Sequence, residues 1–441
     1  MDGLDDFIKT VDSRFWRHIT NRSVLPFKEG EVPSNRTQFL TELYERISKM
    51  NYVPLAPRGI IVSAKQRNLV ARFIPALNVQ DYCVYYYCLK KLENEIAKNR
   101  IPGTYGGWQL GGKIRRLEQG DDEPDYAPEY GFNRGQWSKA WGEYQRKAYS
   151  LIRAPGITHY LVFDIANFYD TIRFDQLESM IRASVDRKKS SIVDLLFYFL
   201  RNSNRKYYSY TNLSVGLPQD EVGDCSRILA NLYLQEYDKY VYDLCREKDA
   251  KYLRYADDQI IASKNQDVPL EIMFEGSKEL TKLGLNLNAN KAVIMDSNQF
   301  QAYWSFDIHS LIDDGKAKEA FNLFEKRLSE KANFRSLSIL KRLLNLPSLK
   351  TKPFRDELLN LVLDGNTITN FDGYYLGRIY TLTAKEDRQD FISLLNRLSD
   401  KILFNQFHWR VLSFAQSHKI DPKAVKRVER NLKKRNVAEF V

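Results

Sequence analysis

Two adjacent aspartates, Asp257 and Asp258, stand between two short β-type runs, Lys251-Tyr-Leu-Arg-Tyr before them and Gln259-Ile-Ile-Ala after them. Runs of this kind, separated by no more than a tight turn, predict a hairpin with both acids at its tip. An Asp-Asp pair alone reads as an exposed turn. The apolar flanks change that reading, because a buried hairpin wastes two charges unless cations neutralise them. Asp164 offers a third acid. It ends the apolar run Tyr160-Leu-Val-Phe just before a turn into a helix, where an N-cap or turn aspartate is the plainer reading. Three carboxylates at the ends of neighbouring strands repel strongly, and hard divalent ions with oxygen ligands relieve that repulsion. Magnesium, with manganese as its substitute, is the expected cofactor. Two such ions about 3.5–4 Å apart activate an attacking hydroxyl and clamp an in-line phosphoryl transfer.

A chain of 441 residues exceeds the usual single-domain size, and 43% hydrophobic and 13% aromatic residues suffice for buried cores. Lys and Arg outnumber Asp and Glu by 67 to 56, for a net charge of +11, and such a field attracts polyanions. Cys83, Cys88, Cys225 and Cys245 form no CxxC pair, so buried reduced thiols are expected rather than a zinc site. The N-terminus lacks a signal pattern and no stretch approaches about 20 apolar residues, so a cytoplasmic protein without a membrane partner is expected.

Along the chain the pattern predicts an α+β architecture in three parts. Residues 1–157 read as an N-terminal region carrying a loop-rich insertion at about 101–156. Within it, Tyr105-Gly-Gly-Trp is followed by Lys113, Arg115 and Arg116, charges that suit either a solvated turn or RNA contact. Residues 158–309 read as a sheet backed by helices, one of them running from Gly223 to about Cys245. Residues 310–441 show apolar residues at helical spacing in Lys318–Leu328, Ser336–Leu344, Phe354–Leu363 and Asp390–Leu398, an all-α domain. It ends in a basic helix whose Lys426 and Arg427 are candidates for nucleic-acid contact.

In chain order, Phe163-Asp-Ile-Ala-Asn-Phe-Tyr-Asp, Gly216-Leu-Pro-Gln, Ser226-Arg-Ile-Leu-Ala-Asn-Leu-Tyr-Leu, Tyr255-Ala-Asp-Asp and Leu283-Gly-Leu-Asn-Leu-Asn-Ala-Asn-Lys resemble palm motifs A to D of reverse transcriptases. The resemblance covers about Thr158 to Met295, and a weaker one at Lys65 to Asp81 looks like the fingers of the same family. It implies a right-hand polymerase fold of fingers and palm followed by a thumb-like helical domain. It also implies an RNA-directed DNA polymerase that consumes deoxynucleoside triphosphates. Carried over residue by residue, Asp164, Asp257 and Asp258 match the metal-binding acids, and Lys291 matches a lysine proposed to protonate departing pyrophosphate. Tyr169 matches the sugar gate, where a ring collides with a ribose 2′-hydroxyl. Gln219 matches a contact to the incoming nucleotide, and Lys65 and Arg72 match positive groups facing its triphosphate.

The match departs from the family at motif B. The usual glycine after the glutamine and serine five positions on are replaced by Asp220-Glu221 and by Ser226, seven positions away. The Ser226-Arg227 pair resembles abortive-infection and defence-associated bacterial enzymes, and the Tyr105-Gly-Gly-Trp segment most resembles their type 2 group. That resemblance implies a structured non-coding RNA as template and cDNA made in antiphage defence. Untemplated or protein-primed DNA synthesis, as in abortive-infection relatives, is a second reading, and a non-catalytic RNA-binding scaffold is a third.

Overall fold

The computed structural model describes all residues except 1–2, 66–69, 99, 109, 111–112, 116–124, 128–134, 204–211, 220–224, 348 and 436–441. For 21–22, 65, 70, 113–115, 125–127 and 135–139 it describes the backbone alone. The strands among the described residues are β1 (Gly59–Lys65), β2 (Val70–Ala76), β3 (Thr104–Tyr105), β4 (Lys113–Arg115), β5 (Asp125–Ala127), β6 (His159–Phe163), β7 (Lys251–Tyr255), β8 (Asp258–Ser263) and β9 (Val293–Asp296). The chain divides into two compact units, Met1–Arg58 with Pro75–Ser297, and Gly59–Ile74 with Asn298–Phe440.

The first unit is built on a five-stranded sheet of order β3-β7-β8-β6-β9. Tyr160, Leu161, Val162 and Phe163 of β6 are all buried, as are Ile260, Ile261 and Ala262 of β8. Strands with both faces covered carry continuous apolar runs rather than alternation, which is why these segments read as uninterrupted hydrophobic stretches. The register pairs Phe163 with Gln259 across β6 and β8, Tyr255 with Asp258 across β7 and β8, and Tyr160 with Met295 across β6 and β9. Helix Val79–Ala97 is the spine of the packing, with every residue from Val79 to Leu89 buried. A helix apolar around its whole circumference belongs inside a core. The helix expected from Gly223 to Cys245 is two helices, Cys225–Tyr233 and Gln235–Glu247, divided at the buried Leu234. All four cysteines are free thiols and buried.

The described residues of the segment expected as a loop-rich insertion include regular elements. β3 adds to the sheet parallel to β7, with Thr104 opposite Arg254 and Tyr105 opposite Tyr255. Tyr105, Trp108 and Leu110 are buried, and a 19-residue helix, Gly135–Arg153, follows. Gly106 and Gly107 both have positive φ, and a β-carbon on Gly106 would lie 2.6 Å from the Tyr255 ring while one on Gly107 would lie 2.5 Å from the Arg227 side chain. The glycines are there for close backbone approach to the hairpin strand and to helix Cys225–Tyr233. β4 and β5 pair antiparallel, Lys113 opposite Ala127.

The second unit is helical, with a core that includes Phe321, Phe324, Leu343, Leu358, Ile379, Leu395, Val411 and Val428. Its helices Ala317–Ser329, Ser336–Leu344, Arg355–Val362 and Arg388–Lys401 fall where the apolar periodicity placed them. β1 and the part of β2 up to Ile74, paired in a two-stranded sheet, also belong to this unit. The buried Asn405 side chain donates Nδ2 to the Ile60 carbonyl at 2.8 Å and accepts the Val62 amide at 2.7 Å. One amide thereby does for the free edge of β1 what a neighbouring strand would do. No helix among the described residues is long and apolar enough to cross a membrane.

Candidate active site

Asp164 follows directly on β6, and the next turn of chain is held from the far side. Its carbonyl accepts the Asn288 amide at 2.9 Å, and Ala166 N–H donates to the Asn286 carbonyl at 2.8 Å. Asn288 then caps a short 3-10 turn, Ala289–Lys291, by accepting from Asn290 N–H. This delivers Lys291 back over the strand end, where its Nζ donates to Asp164 Oδ2. Asp164 is only 2% exposed. Its other oxygen, Oδ1, is buried without a hydrogen-bond partner.

The second pair of acids is placed by register. β7 and β8 close on the Tyr255–Asp258 pair, leaving Ala256 and Asp257 as a two-residue turn. Ala256 adopts φ +54°, an uncommon conformation for a residue with a β-carbon. Because Phe163 faces Gln259, the next step of the same register sets Asp164 beside Asp258. The charges respond to each other. Burial, and then the neighbouring Asp258 and Asp164, push the Asp257 carboxyl up to about 6. Burial also raises Asp164, with the Lys291 ion pair opposing it and Asp258 adding to it. Burial would lower Lys291, but the Asp164 contact and the charges of Asp258 and Asp257 outweigh it and hold the ammonium above its ordinary value.

These features fit a divalent cation. An orphaned carboxylate oxygen, two further acids with mutually unfavourable charge and a lysine ammonium already compensating them form an oxygen-only donor set of the kind magnesium takes. The carboxylates are not drawn into a closed cage. Among the described residues no group of three or more His, Cys, Asp or Glu is gathered at metal-holding spacing.

Tyr169 and Gln219 come together around the same strand end. Asn167, at φ +48°, turns the chain into the short helix Phe168–Thr171, where Tyr169 sits half-buried. The Gly216-Leu-Pro-Gln segment lies against this turn. Leu217 N–H donates to the Tyr169 carbonyl at 2.9 Å and Gly216 N–H to the Ile172 carbonyl at 3.0 Å. Gln219 Nε2 donates to Asp170 Oδ1. Ser226, shifted in spacing, still secures this segment by donating to the Pro218 carbonyl, and its hydroxyl lies 2.8 Å from Tyr85 Oη. Asp220 and Glu221 lie outside the described residues.

Lys65 and Arg72 sit on β1 and β2 in the second unit, Arg72 half-buried and the Lys65 side chain outside the described residues. The Lys113 and Arg115 side chains and all of Arg116 are likewise outside them. Lys426 and Arg427 begin helix Lys426–Arg435, both exposed, with Arg427 Nε donating to Asp400 Oδ1 at 2.9 Å.

Sequence reasoning missed a buried polar network under the hairpin. Arg254 and Asp238 form a fully buried ion pair, with Arg254 Nε donating to Asp238 Oδ1 at 2.7 Å. Tyr252 Oη donates to Asp238 Oδ1 at 2.8 Å, and Tyr237 Oη donates to Gln259 Oε1 at 2.7 Å. The available signal was the arginine itself. A guanidinium inside Tyr252-Leu-Arg-Tyr, a run that the sheet buries, demands a charged partner.

Helix-backed sheet, strand-end acids and hairpin tip define a polymerase palm. Residues 114–309, which contain Asp164, Asp257, Asp258 and Lys291, match the family described as reverse transcriptase (RNA-dependent DNA polymerase). That stretch of the chain is thus similar to a reverse-transcriptase domain. Among solved structures, apo telomerase from Candida tropicalis, truncated from its C-terminal domain, is similar at 14% identity over 59% of this chain and 55% of that one, with a TM-score of 0.35. Telomerase from Candida albicans in complex with a TWJ fragment of telomeric RNA is similar at 11% identity over 90% of this chain and 68% of that one, TM-score 0.39. The corresponding complex from Candida tropicalis gives 11% identity, 91% and 68%, and 0.35. The chain therefore spans about half of the first of these telomerase chains. No curated protein matches it.

Proposed function

We propose that this chain copies a structured non-coding RNA into cDNA by two-metal nucleotidyl transfer, in the cytoplasm of a bacterium and in the service of antiphage defence. The observation that carries the chemistry is Asp164, buried with one oxygen on Lys291 and the other unsatisfied, beside the Asp257–Asp258 turn. Asp164, Asp257 and Asp258 would hold magnesium, which when bound supplies Lewis-acid activation of a 3′-hydroxyl and neutralises charge developing on the triphosphate. Lys291 keeps a proton at Nζ beside these acids at neutral pH, which suits a donor to the leaving pyrophosphate. Tyr169, its backbone bound to Leu217, excludes a ribose 2′-hydroxyl and selects deoxynucleotides. Gln219 is held on Asp170 next to that gate. Lys65 and Arg72 would add positive charge for the triphosphate. The defence role rests on the Ser226-Arg227 and Tyr105-Gly-Gly-Trp resemblances.

The test is primer extension with labelled deoxynucleotides and Mg²⁺ on RNA that co-purifies with the protein, comparing wild type with Asp257→Ala/Asp258→Ala. A discrete cDNA complementary to that RNA, lost in the double variant, is expected. Polymer whose sequence ignores the RNA would instead establish untemplated synthesis, and the absence of any metal-dependent product would leave an RNA-binding scaffold.

A further inference from the structure

We infer that Arg254 is a positioning residue that clamps the Asp257–Asp258 turn from beneath, an inference that rests on the nucleotidyl-transfer reading of that turn. Arg254 is completely buried, and so is its partner Asp238. Burying such a pair gives no stability that a well-packed apolar pair could not match. What an apolar pair could not supply is the fork. Nε and Nη2 are both spent on Asp238. Nη1 remains, and it donates to the Ala256 carbonyl at 2.8 Å and to Asn231 Oδ1 at 2.9 Å.

The Ala256 contact is the functional end of this chain of bonds. Ala256 is the first of the two turn residues and holds the positive φ, so the orientation of its carbonyl sets the direction in which Asp257 leaves the strand. A conformation of this kind persists only where the surroundings over-determine it. Asp238, fixed also by Tyr252 Oη, aims the guanidinium. Asn231 completes the clamp by donating Nδ2 to the Gly106 carbonyl, tying the β3 edge to the same guanidinium. From β7, the Arg254 side chain thus ties the catalytic turn to helix Cys225–Tyr233 through Asn231 and to helix Gln235–Glu247 through Asp238.

Lysine cannot reproduce a planar fork, so Arg254→Lys separates charge from geometry. In full-length folded protein its kcat is expected to fall by about 100-fold, the scale on which a small misplacement acts, with dNTP KM nearly unchanged. The magnesium concentration for half-maximal activity should rise, and the magnesium-induced rise in melting temperature, read without substrate, should shrink. Because a buried lysine that cannot reproduce the bidentate pairing with Asp238 can destabilise the chain, Arg254→Met/Asp238→Leu is measured in parallel. It is expected to melt at or above the wild-type temperature while keeping the low kcat and the weakened magnesium response. Wild-type kcat and magnesium response in either variant would overturn the clamp. A wild type without metal-dependent product would instead overturn the nucleotidyl-transfer reading, and the magnesium shift in melting would still report on the clamp.

Discussion

Lys291 Nζ donates to Asp164 Oδ2 across 127 residues of sequence, so a cation-bearing group already sits on the acid that follows β6. The lysine side chain is 36% exposed and the aspartate 3%. Removing the lysine leaves a nearly buried carboxylate unpaired.

Lys291→Ala is therefore expected to destabilise metal-free protein by about 1–3 kcal/mol, the cost of orphaning a buried acceptor. Millimolar magnesium should shrink that loss, because a divalent ion satisfies the same carboxylate. Activity should fall about 10²-fold, within the range of one general acid. Urea unfolding with EDTA or Mg²⁺ checks the first two statements; a loss identical in both buffers would refute the shared-site account.

Gly106 tests whether the Gly-rich segment serves the hairpin or the surface. Its β-carbon would meet the Tyr255 ring at 2.6 Å and would require φ +77° of a residue that disfavours it. Gly106→Ala should cost about 1–3 kcal/mol by strain and overpacking. It should also reduce polymerisation, because Tyr255 closes the catalytic turn. Denaturant midpoints and single-turnover extension decide it; a variant with unchanged stability would show that the segment does not press on the hairpin.

How far the sequence could be read depended on how local each feature was. Asp164 at a strand end and Asp257–Asp258 at a hairpin tip follow from short apolar runs, and the helices Ala317–Ser329 and Ser336–Leu344 follow from spacing within a dozen residues. The Arg254–Asp238 pair joins a strand to a helix 16 residues away and left only one odd charge as a sign. Asn405 reaches β1 over more than 340 residues, so nothing near Ile60 announces that this strand packs with C-terminal helices. The glycines at 106 and 107 read as part of a loop-rich, solvated turn because the atoms that exclude a β-carbon belong to Tyr255 and Arg227, far along the chain.

Asp81 makes stability depend on pH. It is buried and accepts Tyr52 Oη at 2.8 Å and Leu55 N–H at 3.0 Å. Burial dominates, lifting its carboxyl from 3.8 to about 7, with those hydrogen bonds opposing. A carboxyl raised on folding binds its proton more tightly in the native state. Its contribution is therefore full below about pH 4 and is lost as pH rises through about 7, by up to ~4 kcal/mol if the whole shift is realised. Asp81→Asn removes the titration. Between pH 5.5 and 8, wild type should lose at least ~1 kcal/mol relative to the variant, and a pH-independent difference in unfolding free energy would show that Asp81 is ordinary.

The basic helix at Lys426–Arg435 separates stability from binding. Arg427 pairs with Asp400, with side chains 49% and 32% exposed, a contact worth about 0–1 kcal/mol to the fold. Lys426→Ala and Arg427→Ala should therefore melt almost as wild type. If this face meets RNA phosphates, Lys426→Ala weakens RNA binding at low salt and reduces the slope of log K against log salt by about 1, the signature of one lost phosphate contact. Arg427→Ala should act more weakly, because Asp400 already holds that guanidinium in competition with phosphate. Filter binding of the co-purifying RNA across a salt series measures both, and slopes equal to wild type in both variants would remove this helix from the RNA path.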